Sequence, residues 1–382
     1  IPKLPQQIGH VYAIGSNDFS QCGVEETEVF KLSHIKSLDQ FNIVDISAGS
    51  VHSAALTIDG KVVTWGCNDH GKYDIGEEGE PAYAEGLDDV NIVKVVCGGN
   101  TTFAISDQGH LYATGTFKGE DGIIGFSHDS RIEQPIFTRY KPLEYLTIVD
   151  IAAGEDHALA LTKDGDVYAW GNDEAHRLGR KFSGRRLLEP VNLGLKHIVR
   201  LYAGSYHNFA IDNNGQVWTF GANNMGQCGL DGLKQAIIPP EKHLFFNKVG
   251  QRVKEFAAGQ HHTIARMQNG IVYGFGRCDY GQLGLGEKAA AILRPNETRA
   301  RMVTPTIIPN LTAIKLIETG DNFSMAVDDA NNIYSWGFGA YHVLGNGSDN
   351  DELSPFRIPD LNELEDKEII RISCGSLHGL FL

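Results

Sequence analysis

The side chains with the most chemistry to offer in this 382-residue chain are its fifteen histidines and six cysteines. Their spacing argues against most of it. Cys22, Cys67, Cys97, Cys228, Cys278 and Cys374 lie far apart with no C-x-x-C pair, so neither a zinc ribbon nor a dithiol redox centre is expected. Packed, reduced thiols are the expectation, although an even count also permits disulfides. His52, His157, His207, His262 and His378 each close a Gly-x-x-His motif, but in separate repeats, so no metal site is expected. These histidines are expected to bond backbone within their own repeat. No G-x-S-x-G elbow and no H-E-x-x-H motif occurs, which disfavours a hydrolase. What remains is the chemistry of recognition. Asp156 and His261 stand just before a motif histidine, where other repeats carry Val51, Tyr206 or Leu377. Polar groups there suit an end-of-strand surface. The alternatives are an Asx-type backbone cap for Asp156 and a structural role for His261.

Composition narrows the setting. A hydrophobic share of 42% with 21% charged residues belongs to a folded globular chain. The net charge of −15 disfavours phosphate-driven nucleic-acid binding by the body of the protein and suits a basic protein partner. No apolar run is long enough to span a membrane, and Ile1-Pro2-Lys3-Leu4-Pro5 lacks the features of a secretory signal. The N-x-S/T matches at Asn100, Asn296, Asn310, Asn322 and Asn346 are therefore read as chance.

The elements that must position these residues repeat. Gly9-His10-Val11-Tyr12-Ala13-Ile14-Gly15 and Gly60-Lys61-Val62-Val63-Thr64-Trp65-Gly66 are two copies of one strand motif. Others end at Gly115, Gly171, Gly221, Gly276 and Gly337, which makes seven in all. Gly-x-x-His or a degenerate form (Gly98-Gly99-Asn100-Thr101, Gly320-Asp321-Asn322-Phe323) precedes six of them. The seventh, Gly375-Ser376-Leu377-His378, has nothing after it, and the first strand motif has nothing before it. The two orphan halves make one repeat. Alternating apolar residues and Asp59-Gly60, Asp164-Gly165 and Asn214-Gly215 turns predict antiparallel strands. The expected fold is all-β: a single seven-bladed β-propeller over 1–382, in which N-terminal strands within about 8–48 complete the blade begun by about 369–382.

The combination of G-x-x-H, a strand, a D-G turn, V-Y-x-W-G and a loop such as Gly281-Gln282-Leu283-Gly284 resembles the repeat of the regulator of chromosome condensation family. Gly226-Gln227-Cys228-Gly229 and Arg177-Leu178-Gly179 are further copies of that loop. The resemblance covers the whole chain. It implies a guanine nucleotide exchange factor for the small GTPase Ran, with no covalent chemistry and no cofactor, in the nucleus on chromatin. After the third strand motif, the loop is replaced by Gly115-Thr116-Phe117-Lys118-Gly119-Glu120-Asp121-Gly122-Ile123-Ile124-Gly125-Phe126. This insertion, centred on 116–124, is similar to the β-wedge that such factors press against the GTPase. Thr116, Phe117, Lys118, Gly119, Glu120, Asp121 and Gly122 would form it, with Gly119 and Gly122 allowing a positive-φ turn. An idiosyncratic surface hairpin is the alternative.

By the same resemblance, Asp156 and His261 match the two exchange-critical positions, while His52, Asn100 and Arg180 are further GTPase contacts. Arg185 and Arg186 would meet the acidic patch of the histones, unless they belong to a solvated basic loop. Two departures stand out. The second acidic contact should fall at Gly99, which carries no charge; Asn100 or Glu120 would have to substitute. No basic N-terminal tail stands in this sequence. A non-exchange adaptor or inhibitor on the same scaffold is therefore the alternative function. A photoreceptor is disfavoured because Trp65, Trp170, Trp218 and Trp336 stand one per repeat.

Overall fold

The computed structural model describes residues 1–67, 79–128, 130, 132–181, 187–230, 234–290, 300–359, 364 and 367–382. Seven four-stranded antiparallel sheets form a closed β-propeller. Six are contiguous in sequence, spanning 43–83, 92–139, 148–192, 198–242, 253–307 and 314–357, and are numbered here as the first to sixth blades. The seventh is shared. Tyr12–Ser16 and Glu28–His34 pair with His378–Phe381 and Ile372–Cys374. Register runs Tyr12↔Phe381 to Gly15↔His378, so the last strand of the chain is hydrogen-bonded on both edges and the ring has no free edge there. The N-terminal share of this closing blade is narrower than about 8–48. Ile43–Ala48 is instead the innermost strand of the first blade.

Each blade's second strand, such as His157–Thr162 or His207–Asp212, is buried along its whole length, save for the partly buried His52 that opens the first blade's. It lies mid-sheet with a neighbouring blade on each face, so the strict apolar–polar alternation of a half-exposed strand gives way to Ala, Leu, Phe, Thr and Ser. The outer strands, such as Glu352–Arg357, stay half exposed. Aromatic pairs help fill the gaps between blades. Phe209 of the fourth blade stacks on Phe256 of the fifth at 4.2 Å and 9°.

The Gly-x-x-His glycines form a ring about the axial channel. A Cβ on any of Gly49, Gly98, Gly154, Gly204, Gly259, Gly320 or Gly375 would stand only 2.1–2.7 Å from the carbonyl oxygen of the corresponding glycine in the next blade. The last closes on the first: Gly375 abuts Gly49.

The motif histidines also differ from expectation. They join neighbouring blades instead of bonding backbone within one. Nε2 of His52, His157, His207, His262 and His378 contacts Thr102, Asn208, Thr263, Ser324 and Ser53, at 2.7–3.0 Å, each in the next blade. Ser53, Thr263 and Ser324 donate their hydroxyl protons to the carbonyls of Gln21, Gln227 and Gln282. Each must then accept from its histidine, which fixes the Nε2–H tautomer. Burial pushes His52 down to about 4 and His157, His262 and His378 down to about 3, so the rings are neutral. Where the histidine is replaced, by Thr101 or Phe323, the equivalent positions of the next blade are Ala158 and Gly379, which offer no side-chain acceptor.

Candidate functional site

Two sets of loops share one face of the propeller: those joining the first and second strands of each blade, and those joining the third and fourth. Asn100, Asp156 and His261 belong to the first set and the insertion after Gly115 to the second. All four therefore meet on that face.

The insertion is a hairpin with its own two-stranded sheet, Phe117–Gly119 against Gly122–Gly125, outside the four strands of its blade. Lys118 pairs with Ile123 and Gly119 with Gly122 around a Glu120-Asp121 tip. Gly122 takes φ +103° and its missing side chain points into open space. Gly119 has no positive φ, so only one of the two glycines is needed for the turn. Thr116 and Phe117 do not reach the surface. Both are buried, and Phe117 packs beside Phe103 in the core shared by the second and third blades. They root the hairpin, and Glu120, Asp121, Gly122 and Ile123 are the exposed part.

The root is held from the next blade. The Asp156 carboxylate accepts from the Lys118 backbone N–H at 2.8 Å, and the Asn172 amide donates to the Lys118 carbonyl at 2.9 Å. Asn100 approaches the same Asp156 oxygen at 3.4 Å. Asp156 is thus a cap on backbone, but on backbone of another blade. Burial raises its pKa, opposed by the Lys118 N–H and by the charge of Arg177.

From Arg177, whose charge acts on Asp156, a stacked row leads to His261. The Arg177 guanidinium lies 4.4 Å over the Tyr206 ring, and Tyr206 stacks on His261 at 5.3 Å and 17°. Arg177 is itself buried and held by the Glu174 carbonyl and carboxylate. Glu155 beside it has a raised pKa, from burial and then the Asp156 charge, with Arg177 and Tyr206 acting in the opposite sense. Asn172, Arg177 and Tyr206 were not picked out by sequence reasoning. One signal was present for Arg177: the same loop position carries glutamine at Gln21, Gln227 and Gln282.

His52 sits between blades, bonded to Thr102, which is a structural position. Arg180 donates to the Glu189 carbonyl at 3.3 Å and feels the charges of Asp173 and Glu189, so it is tied to its own loop. Arg185 and Arg186 lie outside the described residues. Gly99 has no room for a side chain. Its N–H donates to the Glu155 carbonyl, and a Cβ would stand 2.3 Å from that oxygen.

A model of the RCC1-like domain matches residues 10–381. The chain belongs to that family. The regulator of chromosome condensation of Xenopus laevis is 32% identical over 400 residues, covering 98% of this chain and 89% of that protein. Guanine nucleotide exchange factor SRM1 of Saccharomyces cerevisiae is 30% identical, covering 96% and 85%. Among solved structures, Prp20p of Saccharomyces cerevisiae, described with its binding to Gsp1p and histones, superposes with TM-score 0.92 at 28% identity, over 100% of this chain and 92% of Prp20p. This RCC1-like chain thus shares its whole propeller, not a fragment of it, with these relatives.

Proposed function

We propose that this RCC1-like propeller is a guanine nucleotide exchange factor for the small GTPase Ran, acting in the nucleus. The observation that carries the reading is the projecting hairpin, tied at Lys118 to Asp156 and Asn172, on the face that also presents His261. An exchange factor accelerates release by binding the nucleotide-free GTPase more tightly than the loaded form. A hairpin can do this only if it holds its shape while pressing on the phosphate-binding elements. Two hydrogen bonds at its root, one to the N–H and one to the carbonyl of Lys118, supply that stiffness. Glu120, Asp121 and Ile123 at the tip would meet the GTPase, with His261 and Tyr206 as a second contact along the same face. The relatives' names support the assignment: one is an exchange factor, and Prp20p is described with Gsp1p, the yeast Ran, and with histones. Histone contact through Arg185 and Arg186 is the chromatin-side proposal.

The test is release of fluorescent GDP from Ran by catalytic amounts of the protein. Acceleration that disappears when residues 118–121 are deleted from a still-folded ring supports the reading; release no faster than the intrinsic rate ends it. Gly99 favours one second reading, a non-exchange interaction module, because the position cannot bear an acidic contact. Capture of nucleotide-free Ran that GTP reverses separates exchange from an adaptor.

A further inference from the structure

On the opposite face, where the D-G turns lie, the closing blade carries an arrangement that the exchange reading does not use. His10 precedes Tyr12–Ser16, His34 ends Glu28–His34, and Asp39 sits in the short 3-10 helix Lys36–Phe41 that follows. His10 Nδ1 lies 2.7 Å and His34 Nε2 2.9 Å from the same Asp39 oxygen, Oδ1. These three donor atoms all lie within 4.8 Å of one another, and this is the one such His/Cys/Asp/Glu group among the described residues.

We propose that His10, His34 and Asp39 form a binding site for a divalent transition metal, Zn²⁺ by preference. Two imidazole nitrogens and one carboxylate oxygen are a donor set suited to Zn²⁺, and not to Mg²⁺ or Ca²⁺, which take oxygen ligands. A carboxylate offers two oxygens, so two independent histidine contacts would be free to spread over both. Here both nitrogens converge on one, which places the donors at the corners of a small triangle. Tetrahedral Zn²⁺ bonds to such ligands at about 2.0–2.1 Å, which sets the donors about 3.3 Å apart. The present contacts must open by a few tenths of an ångström. The side chains can do so: His10 is 53% and Asp39 39% exposed. His34 is oriented by Tyr12, whose ring stacks on it at 5.0 Å and 27°, and the His10 ring stands edge-on to His34 at 89°. Metal binding requires the lone pairs of His10 Nδ1 and His34 Nε2, so each ring carries its proton on the other nitrogen in the bound form. The fourth position opens to solvent, for water or a donor from another molecule.

The location gives the site a consequence. His34 pairs with Tyr12, and His10 lies two residues before Tyr12, which starts the strand that zips onto the chain's C-terminal strand. A metal there pins the N-terminal strands to the 3-10 helix leading into the first blade, and so favours the closed ring. The experiment is titration of the metal-free full chain with Co²⁺ and then Zn²⁺. The expected result is one equivalent of Co²⁺ with visible d–d absorption, displaced by Zn²⁺, and a Tm raised by Zn²⁺. His10→Ala and Asp39→Asn should each weaken affinity at least tenfold, and both lie at exposed positions where the fold tolerates change. Absence of saturable binding at millimolar metal, or binding unchanged in both variants, overturns the proposal.

Discussion

The Asp156 carboxylate and the Lys118 backbone N–H, 38 residues apart, are joined by a 2.8 Å hydrogen bond that ties the third blade to the root of the hairpin on the second. This makes Asp156 a positioning residue whose oxygen matters more than its charge. Asp156→Ala is expected to slow the catalysed release of GDP from Ran tenfold or more, about 1.4 kcal/mol. Asp156→Asn keeps an acceptor for Lys118 and should recover most of the rate. Equal losses for Ala and Asn would mean that the charge itself contacts the GTPase.

Asn172 holds the same residue, Lys118, by its carbonyl. Asn172→Ala should also slow exchange, by about threefold to tenfold. Combined with Asp156→Ala it should cost less than the product of the two, because residues sharing one partner couple by about 0.5–3 kcal/mol. A double-mutant cycle on kcat/KM measures this, and strict additivity would separate the two contacts.

His261 depends on its support. His261→Ala is expected to slow exchange about tenfold. Tyr206→Leu, which removes both the stack under His261 and the ring beneath Arg177, should do nearly as much without touching the imidazole. Exchange within twofold of wild type for Tyr206→Leu would make His261 independent of its neighbour.

Acid should open the ring. Unfolded histidines titrate near 6.5, whereas burial holds His157, His262 and His378 at about 3 and His207 well below normal. Between those values the unfolded chain binds more protons, so this stabilisation is complete above about pH 6.5 and is lost as pH falls toward the folded values. Glu318 at about 8 and Asp321 at about 7 act in the opposite direction, their contribution being lost as pH rises. His52 and His243, at about 4, add to the histidine side, so six histidines outweigh these two acids and acidification near pH 5.5 costs net stability. Tm should therefore fall steeply from pH 6.5 to 5. Replacing His157 with Thr and Asn208 with Ala copies the Thr101–Ala158 pairing found elsewhere in the ring and should flatten that slope.

Gly375→Ala should prevent closure. Its Cβ would stand 2.1 Å from the Gly49 carbonyl and 2.3 Å from the His378 ring, with backbone on one side that cannot swing away. A loss of several kcal/mol, read as a lowered Tm or as chain that fails to fold, is expected, against about 0.5 kcal/mol or less for a neutral surface change. Gly99→Asp should likewise destabilise and not restore an acidic contact, because its Cβ meets the Glu155 carbonyl.

Local pattern determined most of the architecture. Seven aromatic-Gly motifs and two orphan half-repeats suffice for the blade number and the shared closing blade, because period, turn chemistry and alternation are properties of neighbours along the chain. The hairpin after Gly115 was legible for the same reason, as a break in the repeat. What only the tertiary structure decided are the relations between blades. That Asp156 caps Lys118, that Arg177 and Tyr206 carry His261, and that each motif histidine reaches a side chain one blade onward all depend on radial packing. Residues 38 or 325 positions apart meet there with no periodicity to announce it. The sequence places Thr116 and Phe117 in the wedge without separating them from its exposed part, for a related reason. Composition cannot tell the root of a hairpin from its tip, whereas burial against Phe103 can.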